Sequence, residues 1–162
     1  MDERFVKIAT SPAFTWWIRN FAAKIDPVLF KLTNGRWSTF GPPAMPMVTL
    51  DTIGRRSGRL HSVHLAAIER NGELYVVASA MGQKKHPAWR YNLEANPEIR
   101  VQSVGESFHA RAEVLSDGEK AGIWGQVKET IPMMNVYETR TDRNIRVFHL
   151  KRIDPSCTES SE

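Results

Sequence analysis

Tight turns between short apolar segments constrain what this chain can fold into more than any other feature. Asn71-Gly72 separates two strand-like segments, 60–69 and 73–79, and Asn-Gly in that position is the strongest short-range signal for a β-hairpin. Gly54 to Arg59 forms a glycine-bounded turn between the segment 60–69 and the preceding strand-like segment, 47–53. Because strands joined by hairpin turns pair antiparallel, we expect a mainly antiparallel sheet.

Three more strand signals and three helix signals complete the pattern. Apolar residues at helical spacing predict a helix at 11–33, and start and stop signals, including Pro87, Pro97 and Pro132, predict two more at 87–96 and 116–130. Shorter apolar or alternating segments predict the remaining strands at 98–103, 107–115 and 144–153. About six strands with few helices indicate an α+β, mostly β fold, in which a small barrel closes its own edges.

Length and composition fit a single domain. The 162 residues, of which 41% are hydrophobic and 25% charged, can bury a core without disulfides or metals. We expect one domain over residues 1–153 and a flexible tail over 154–162. The single cysteine, Cys157, cannot form an internal disulfide, and no apolar run reaches the roughly 20 residues that span a bilayer. These features favour a cytoplasmic location.

The net positive charge suits an anionic partner but does not identify which class of partner binds. It is +4 for the chain and +7 for residues 1–153, since three of the 18 acidic residues lie in the tail. Such an excess suits a phosphorylated cofactor, an anionic membrane or a nucleic acid, and it also fits a solvated basic surface. We do not expect nucleic acid to bind, because the chain lacks a known binding module or an aromatic and basic platform.

The turn from Gly54 to Arg59 carries three arginines, Arg55, Arg56 and Arg59, together with Ser57. Guanidinium groups bind phosphate or carboxylate oxygens through paired hydrogen bonds, and turn amides that point at one spot can add to such a site. The turn therefore suits a phosphate or polycarboxylate group. A solvated basic hairpin tip is the alternative.

A second basic cluster, Lys84-Lys85-His86, follows the small residues 78–82 at the end of the third predicted strand. On the helix that comes next, Trp89, Asn92 and Leu93 share one face. Trp89 could wall a planar ring, although packing in the barrel core is the commoner role of a tryptophan. A buried Asn92 needs hydrogen-bond partners, which a ligand could supply.

No self-contained catalytic centre is evident in the sequence. The five histidines lack a Cys or carboxylate at metal-ligand spacing, and His61 and His64 should point to opposite faces of their strand. No Gly-x-Ser-x-Gly motif occurs, and Cys157 lies in a polar tail where a reactive thiol is not expected. We therefore predict no metal site, and redox chemistry would need a borrowed cofactor.

Several blocks of the sequence resemble the deazaflavin-dependent nitroreductase family. Leu50 to Arg59 resembles its Thr-x-Gly-Arg-Lys-Ser/Thr-Gly signature, with Arg56 in place of the common lysine. Further segments are similar to its central and C-terminal motifs, in the same order: Val76 to Ser79, Pro87 to Trp89, Asn92 to Pro97 and Thr141 to Arg143. The resemblance covers roughly residues 11–153.

This resemblance implies a split β-barrel like that of FMN-binding pyridoxamine oxidases, with reduced coenzyme F420 as the hydride donor. It implies that Arg55, Arg56 and Ser57 bind the phosphate and oligoglutamate tail of F420. Residues of the second strand, the end of the third strand and the next helix would line the ring and ribityl chain: His61, Ser62, Val63, His64, Leu65, Ala66, Val77, Ala78, Ser79, Ala80, Ala88, Trp89, Arg90, Tyr91 and Asn92.

The same resemblance assigns a substrate pocket to Trp17, Met134 and Tyr137. Tyr137 falls where the family often has a tyrosine near the substrate, so it would orient substrate or help deliver a proton. Packing as a lid residue on Trp124 or Met134 is its alternative role. Ala80 stands at the start of a position pair where the family often has Lys-Gly, and that change would remove one phosphate contact.

The activity implied is that of an F420H2-dependent reductase acting on a hydrophobic, electron-poor acceptor such as a quinone, an enone or a nitro compound. The alternative is a non-enzymatic protein that binds a fatty acid or another lipid in the same barrel. Barrels of this class often form homodimers. A membrane-borne quinone would also give the amphipathic segment 11–32 a reason to contact the inner face of the membrane, although packing on its own domain is the commoner role of such a helix.

Overall fold

Six antiparallel strands form a closed barrel in the order β1-β2-β3-β6-β5-β4. The computed structural model describes residues 11–17, 21–39 and 45–153, so the predicted tail 154–162 lies outside the described residues. The strands are β1 (Met47–Ile53), β2 (Leu60–Arg70), β3 (Glu73–Val77), β4 (Glu98–Ser103), β5 (Glu106–Val114) and β6 (Val147–Arg152). This architecture confirms the six-stranded antiparallel barrel that the turn pattern predicts.

The hairpin turns are those that the sequence indicates. Asn71 and Gly72 have φ angles of 54° and 78°, so both lie in the left-handed region that a two-residue type I′ turn requires. They join β2 to β3, where Arg70 pairs with Glu73. The seam that closes the barrel, between β1 and β4, is short and pairs only three residues of each strand, Thr49 to Asp51 and Arg100 to Gln102.

The described residues form five α-helices beside the barrel: α1 (Pro12–Trp17), α2 (Ala23–Leu32), α3 (Ala88–Ala95), α4 (Asp117–Thr130) and α5 (Met134–Tyr137). Ser116 begins α4 with a capping box, in which its side chain accepts from the Glu119 amide while the Glu119 carboxylate accepts from the Ser116 amide. Helix α5 was not predicted, because a single turn of helix is too short to show a periodic pattern. Among the described residues, no helix is long and apolar enough to cross a membrane.

Side chains alternate between the inside and the outside of the barrel because a β-strand has a period of two. The interior holds a core that includes Leu50, Val76, Val101 and Phe148. Trp89 of α3 closes one part of this core, with its ring centroid 5.9 Å from that of Phe148 and only 9% of its surface exposed. The inner core therefore fixes where α3 lies.

Two helical layers cover the outer face of the sheet. Helices α4 and α5 pack a second apolar cluster onto β2, β3 and β6, and that cluster includes Ile68, Val127 and Met134. Helix α2 packs on β1 and β2 through Phe30, whose ring centroid lies 4.5 Å from that of His64. These layers cover much of the outside of β2, whereas residues 60–62, next to the turn 54–59, remain exposed.

Candidate functional site

A cavity of about 580 Å³ lies between the turn 54–59 and helix α3. Its lining combines arginines, a hydroxyl, aromatic rings and small apolar side chains: Thr52, Gly54, Arg55, Arg56, Ser57, His61, Val63, His86, Ala88, Trp89, Tyr91 and Asn92. No acidic residue is among these lining residues. The volume and the mixture of groups are typical of a site for a cofactor-sized ligand.

The backbone of the turn holds its shape through its own hydrogen bonds. The Gly54 amide donates to the Arg59 carbonyl, and the Gly58 amide donates to the Gly54 carbonyl, both at 2.8 Å. Gly58 has a φ of 65°, a conformation that favours glycine. At Gly54 the space is also restricted, because an added Cβ would lie 2.9 Å from His61 Nε2. A larger residue would therefore strain the turn at Gly58 and displace neighbouring side chains at Gly54.

Asn92 ties the turn to helix α3. Its side-chain oxygen accepts from the Arg55 amide at 3.1 Å, and its side-chain nitrogen donates to Thr52 Oγ1 at 3.3 Å. Thr52 Oγ1 in turn donates to the His61 carbonyl. The Asn92 side chain therefore has protein groups as its hydrogen-bond partners. From the sequence alone, a ligand could also have supplied them.

Two of the three arginines of the turn, Arg55 and Arg56, line the cavity and are exposed. Arg55 lies over the Tyr91 ring, 4.5 Å from its centroid, and Arg90 lies over the same ring at 4.8 Å. Arg90 is also held by Glu94 through a contact of 2.8 Å, whereas Arg55 and Arg56 are exposed. The Arg55 amide donates to Asn92, so Arg55 would contribute its side chain rather than its amide to an anion site.

An apolar wall faces these charges. Trp89, Ala88 and Val63 line the cavity, and Trp89 belongs at the same time to the interior core. Trp89 therefore packs in the barrel core and also borders the cavity, so core packing and a role as a cavity wall do not exclude each other. A rigid aromatic wall of this kind suits a flat ring better than a flexible chain.

The segment after β3 has an unusual backbone that Arg143 holds in place. Ala80, Met81 and Gly82 all have positive φ angles, of 46°, 55° and 74°. The Arg143 guanidinium donates to the carbonyls of Ala78 and Gln83 at 2.8 Å, and also to the carbonyl of Ser79. This backbone ends β3 at Val77, two residues earlier than the sequence predicts.

His86 connects the Arg143 anchor to the cavity. Arg143 Nη1 lies 3.1 Å from His86 Nδ1, and His86 is among the lining residues. The His86 pKa is lowered from its ordinary value by burial, and the neighbouring Arg90 and Arg143 guanidinium groups lower it further. The sequence had marked His86 only as part of a basic cluster and had not assigned it to the site.

The structure brings together about half of the residues for which a cofactor role is predicted. Those that line the cavity are Arg55, Arg56, Ser57, His61, Val63, Ala88, Trp89, Tyr91 and Asn92. Thr52 and Gly54 also line the cavity and were not predicted. Thr52 pairs with His61 across β1 and β2, so the predicted role of His61 could have indicated Thr52 as well. Alternation along β2 explains the pattern, since His61 and Val63 share one face.

The other predicted lining residues lie elsewhere. Ser62 and His64 point outward to the α2 side, where Ser62 donates to Asp51 and His64 Nδ1 lies 3.0 Å from Thr49 Oγ1. Leu65 and Ala78 pack in the interior core, and Ala66 and Val77 in the outer cluster. The remaining three, Ser79, Ala80 and Arg90, lie outside the lining of the cavity.

The three residues predicted for a substrate pocket are not gathered at this cavity. Met134 and Tyr137 are buried in the outer cluster, and burial raises the pKa of the Tyr137 phenol. The backbone of Tyr137 also lies against Gly82, where an added Cβ would be 2.8 Å from the Tyr137 carbonyl oxygen. Trp17 ends helix α1 with 38% of its surface exposed.

Comparison with known proteins identifies the family. The family model described as F420H(2)-dependent quinone reductase matches residues 29–152. An F420H(2)-dependent quinone reductase of Mycobacterium tuberculosis is 30% identical over 133 residues, covering 80% of this chain and 89% of that protein. A solved F420-H2 dependent reductase is 36% identical, covers 65% of this chain and 94% of its own, and superimposes with a TM-score of 0.60.

A second solved structure, described as a domain-swapped dimer, is 33% identical over 87% of this chain and 100% of its own, with a TM-score of 0.63. The segment that the family model matches contains the barrel, the arginine turn and helix α3, so it includes the cavity as well as the fold. The chain belongs to the F420H(2)-dependent quinone reductase family of split β-barrel proteins, and it is a reductase whose cofactor is reduced coenzyme F420.

Proposed function

We propose that the cavity between the turn 54–59 and helix α3 is the F420 site of this reductase. Arg55, Arg56 and Ser57 bind the anionic tail of the coenzyme, and Trp89 with Val63 borders its ring. The observation that carries the proposal is the pairing of two exposed guanidinium groups with a rigid aromatic wall in one cavity that no acidic residue lines. Guanidinium groups form strong hydrogen bonds with phosphate and carboxylate oxygens.

The residues present fit such a coenzyme. The charged groups lie at the mouth, where an acidic tail keeps some contact with water, and the apolar groups lie deeper, beside the barrel core. When bound, reduced F420 supplies a hydride to the acceptor. The protein contributes orientation through the Asn92-anchored turn and shields the ring from water through Trp89, Ala88 and Val63.

For the acceptor we propose a hydrophobic, electron-poor molecule, with a quinone ahead of an enone or a nitro compound. Quinone reduction is the activity that the names of the family and of its mycobacterial member give. The apolar wall of the cavity supports an acceptor of low polarity. A fatty acid found in the purified protein, with no binding of F420, would instead favour a lipid-binding role for this barrel.

Removal of the two arginines tests the proposed coenzyme site. Arg55→Ala with Arg56→Ala should raise the Kd for F420 by about 100-fold or more, since each charge-assisted hydrogen bond contributes on the order of 1.5 kcal/mol or more. The loss should be larger at low salt, where exposed charges are less screened. Titration of the coenzyme by fluorescence at two salt concentrations measures both effects.

The matched control is Arg100→Ala with Arg111→Ala, which removes the same charge from exposed positions of β4 and β5. This variant should keep the wild-type Kd. Equal loss of affinity in both double variants would mean that net charge alone attracts the coenzyme, and the assignment of the turn as the tail site would be wrong.

We further propose that the N-terminal helical region contacts an anionic membrane surface at the inner face of the cell membrane. Phe21, Ile25, Val28 and Leu32 recur at spacings of four, three and four residues, and all are exposed, Leu32 by 80%. Ala22, Asp26 and Phe30 lie on the opposite, buried face of the same helical region. An exposed apolar stripe beside basic residues such as Lys24 supports binding at a lipid interface.

A homodimer is the assembly that we propose in solution. Its support is the 33% identical relative whose structure is described as a domain-swapped dimer. Light scattering after size-exclusion chromatography would measure the mass of the particle, and a monomer at micromolar concentration would contradict this proposal.

A further inference from the structure

The contact between Arg143 and His86 fixes the chemical form of a residue that borders the cavity. All the nitrogens of a guanidinium group carry hydrogens, so Arg143 can only donate. His86 Nδ1, 3.1 Å from Arg143 Nη1, must therefore accept. An imidazole that accepts at Nδ1 is neutral and carries its single N–H at Nε2.

The surroundings of His86 favour the same neutral form. Burial lowers its pKa, the guanidinium groups of Arg90, Arg143 and Arg146 lower it further, and the Glu94 carboxylate alone among the charged neighbours opposes them. A second proton would go to Nδ1, directly against the Arg143 N–H groups. The ring is also held in orientation, with its plane nearly perpendicular to that of Tyr91 at 6.1 Å between centroids.

Arg143 itself has little freedom to move away from His86. It donates at the same time to the carbonyls of Ala78, Ser79 and Gln83, which flank the left-handed residues 80–82. Movement of the guanidinium group would break several charge-assisted hydrogen bonds at once. The His86 ring is therefore attached to a rigid part of the barrel although it lies in a loop.

We propose that His86 is a coenzyme-binding residue whose Nε2–H donates to an oxygen or nitrogen acceptor of bound F420, and that Arg143 is a positioning residue which fixes the His86 tautomer. This inference rests on the proposed F420 site. It follows from the placement of His86 among the lining residues, with its Nδ1 edge occupied by Arg143 and Nε2 as its remaining polar atom.

The tautomer can be measured without any coenzyme. Long-range ¹H–¹⁵N spectra of the wild-type protein at pH 7 should show His86 neutral and protonated at Nε2. Arg143→Lys keeps the positive charge but loses the planar guanidinium group that makes several hydrogen bonds at once. This variant should give a mixture of His86 tautomers. A His86 protonated at Nδ1, or doubly protonated at pH 7, in the wild-type protein would overturn the proposal whether or not Arg143→Lys folds.

Two variants of His86 separate its two nitrogens. His86→Asn places an oxygen near the former Nδ1, so it keeps an acceptor for Arg143 but loses the donor at Nε2. It should raise the Kd for F420 by about 3- to 10-fold, the effect of one hydrogen bond. His86→Gln extends an amide toward the former Nε2 and should recover part of that affinity. His109→Asn, on an exposed histidine of β5, is the control and should bind as the wild type does.

The outcomes distinguish this inference from the proposed site. If wild-type protein binds F420 and His86→Asn binds it equally well, the His86 assignment is wrong while the arginine turn stands. If wild-type protein fails to bind F420, both the proposed coenzyme site and the proposed hydrogen bond from His86 to F420 are wrong. The nitrogen spectra then still decide whether Arg143 fixes the tautomer.

Discussion

His64 is a second histidine whose environment sets its protonation, and it lies on the outer face of the barrel under helix α2. Its Nδ1 is 3.0 Å from Thr49 Oγ1, and its ring packs against Phe30. Nε2 is buried, with no hydrogen-bond partner among the described residues. Burial lowers the His64 pKa, and the Asp26 carboxylate opposes this shift with a smaller effect.

The buried His64 should make stability depend on pH. Its pKa is lower in the folded than in the unfolded protein, so on acidification the unfolded state binds a proton first. The stability that is present above about pH 6.5 is therefore lost as the pH falls toward the lowered folded pKa. We expect the Tm to fall between pH 7.5 and 5.5, and calorimetry at several pH values measures it.

His64→Leu is the variant that assigns this pH dependence to His64. Without the imidazole, the fall in Tm below pH 6.5 should become shallower, although His86 contributes a dependence of the same sign. An unchanged slope in His64→Leu would show that other groups cause the acid destabilisation.

At the scale of elements, the Asn92 amide determines how helix α3 and the arginine turn are placed relative to each other. Asn92→Ala should lower the free energy of unfolding by about 1–3 kcal/mol, since it leaves the Arg55 amide without its acceptor and removes the hydrogen bond that Thr52 Oγ1 accepts. The Kd for F420 should also rise, because the turn loses its attachment to α3. Urea denaturation and coenzyme titration measure the two effects.

Asn96→Ala provides the comparison for Asn92→Ala. Asn96 lies just after α3 and donates to the Ile53 carbonyl at 3.3 Å, but it does not line the cavity. This variant should lose less stability and keep the wild-type affinity for F420. Equal effects of the two substitutions on affinity would mean that Asn92 has no special link to the site.

Local signals in the sequence were sufficient to predict the barrel but only part of the site. Asn71-Gly72 and the glycines of the arginine turn act within a few residues, and the elements that they connect formed as expected. The run from His61 to Ala66 was predicted to line the coenzyme as a block, whereas the period of two turns Ser62, His64 and Ala66 away, and Leu65 packs in the interior core. Which face of β2 lies against the outer helices depends on α2, α4 and α5, whose packing on the sheet cannot be seen in the sequence of β2 alone.

Long-range contacts explain the rest of what the sequence did not predict. The left-handed backbone of Ala80 and Met81 is held by Arg143, about 60 residues later in the chain, and no local propensity indicates it. The same arginine brings His86 into the site. Asn92 was expected to need partners, yet only the folded turn could show that the Arg55 amide is one of them.

At the scale of the whole molecule, basic charge and the exposed stripe should act together at a membrane. Val28→Ser with Leu32→Ser should reduce binding to vesicles of phosphatidylglycerol and phosphatidylcholine by about 10-fold or more, since each buried aliphatic side chain contributes about 1.5–3 kcal/mol. Co-sedimentation with vesicles measures the bound fraction. Raised salt should weaken binding further, because part of the attraction is electrostatic.

Val114→Ser, on an exposed valine of β5, is the control for the vesicle experiment. It should bind as the wild type does. Wild-type protein that stays unbound on anionic vesicles would contradict membrane contact. If the two substitutions in α2 instead convert a dimer to a monomer, the stripe is a contact between two copies of the chain.

Closure of the barrel restricts how two copies could combine through their sheets. Each of the six strands has a hydrogen-bonded neighbour on both sides, so the described residues offer no whole strand edge for a second chain to extend. Association through the sheet would require one strand to leave and its counterpart from another copy to replace it. Opening the barrel between two neighbouring strands would separate the fewest paired residues at the β1–β4 seam, which pairs three residues of each strand.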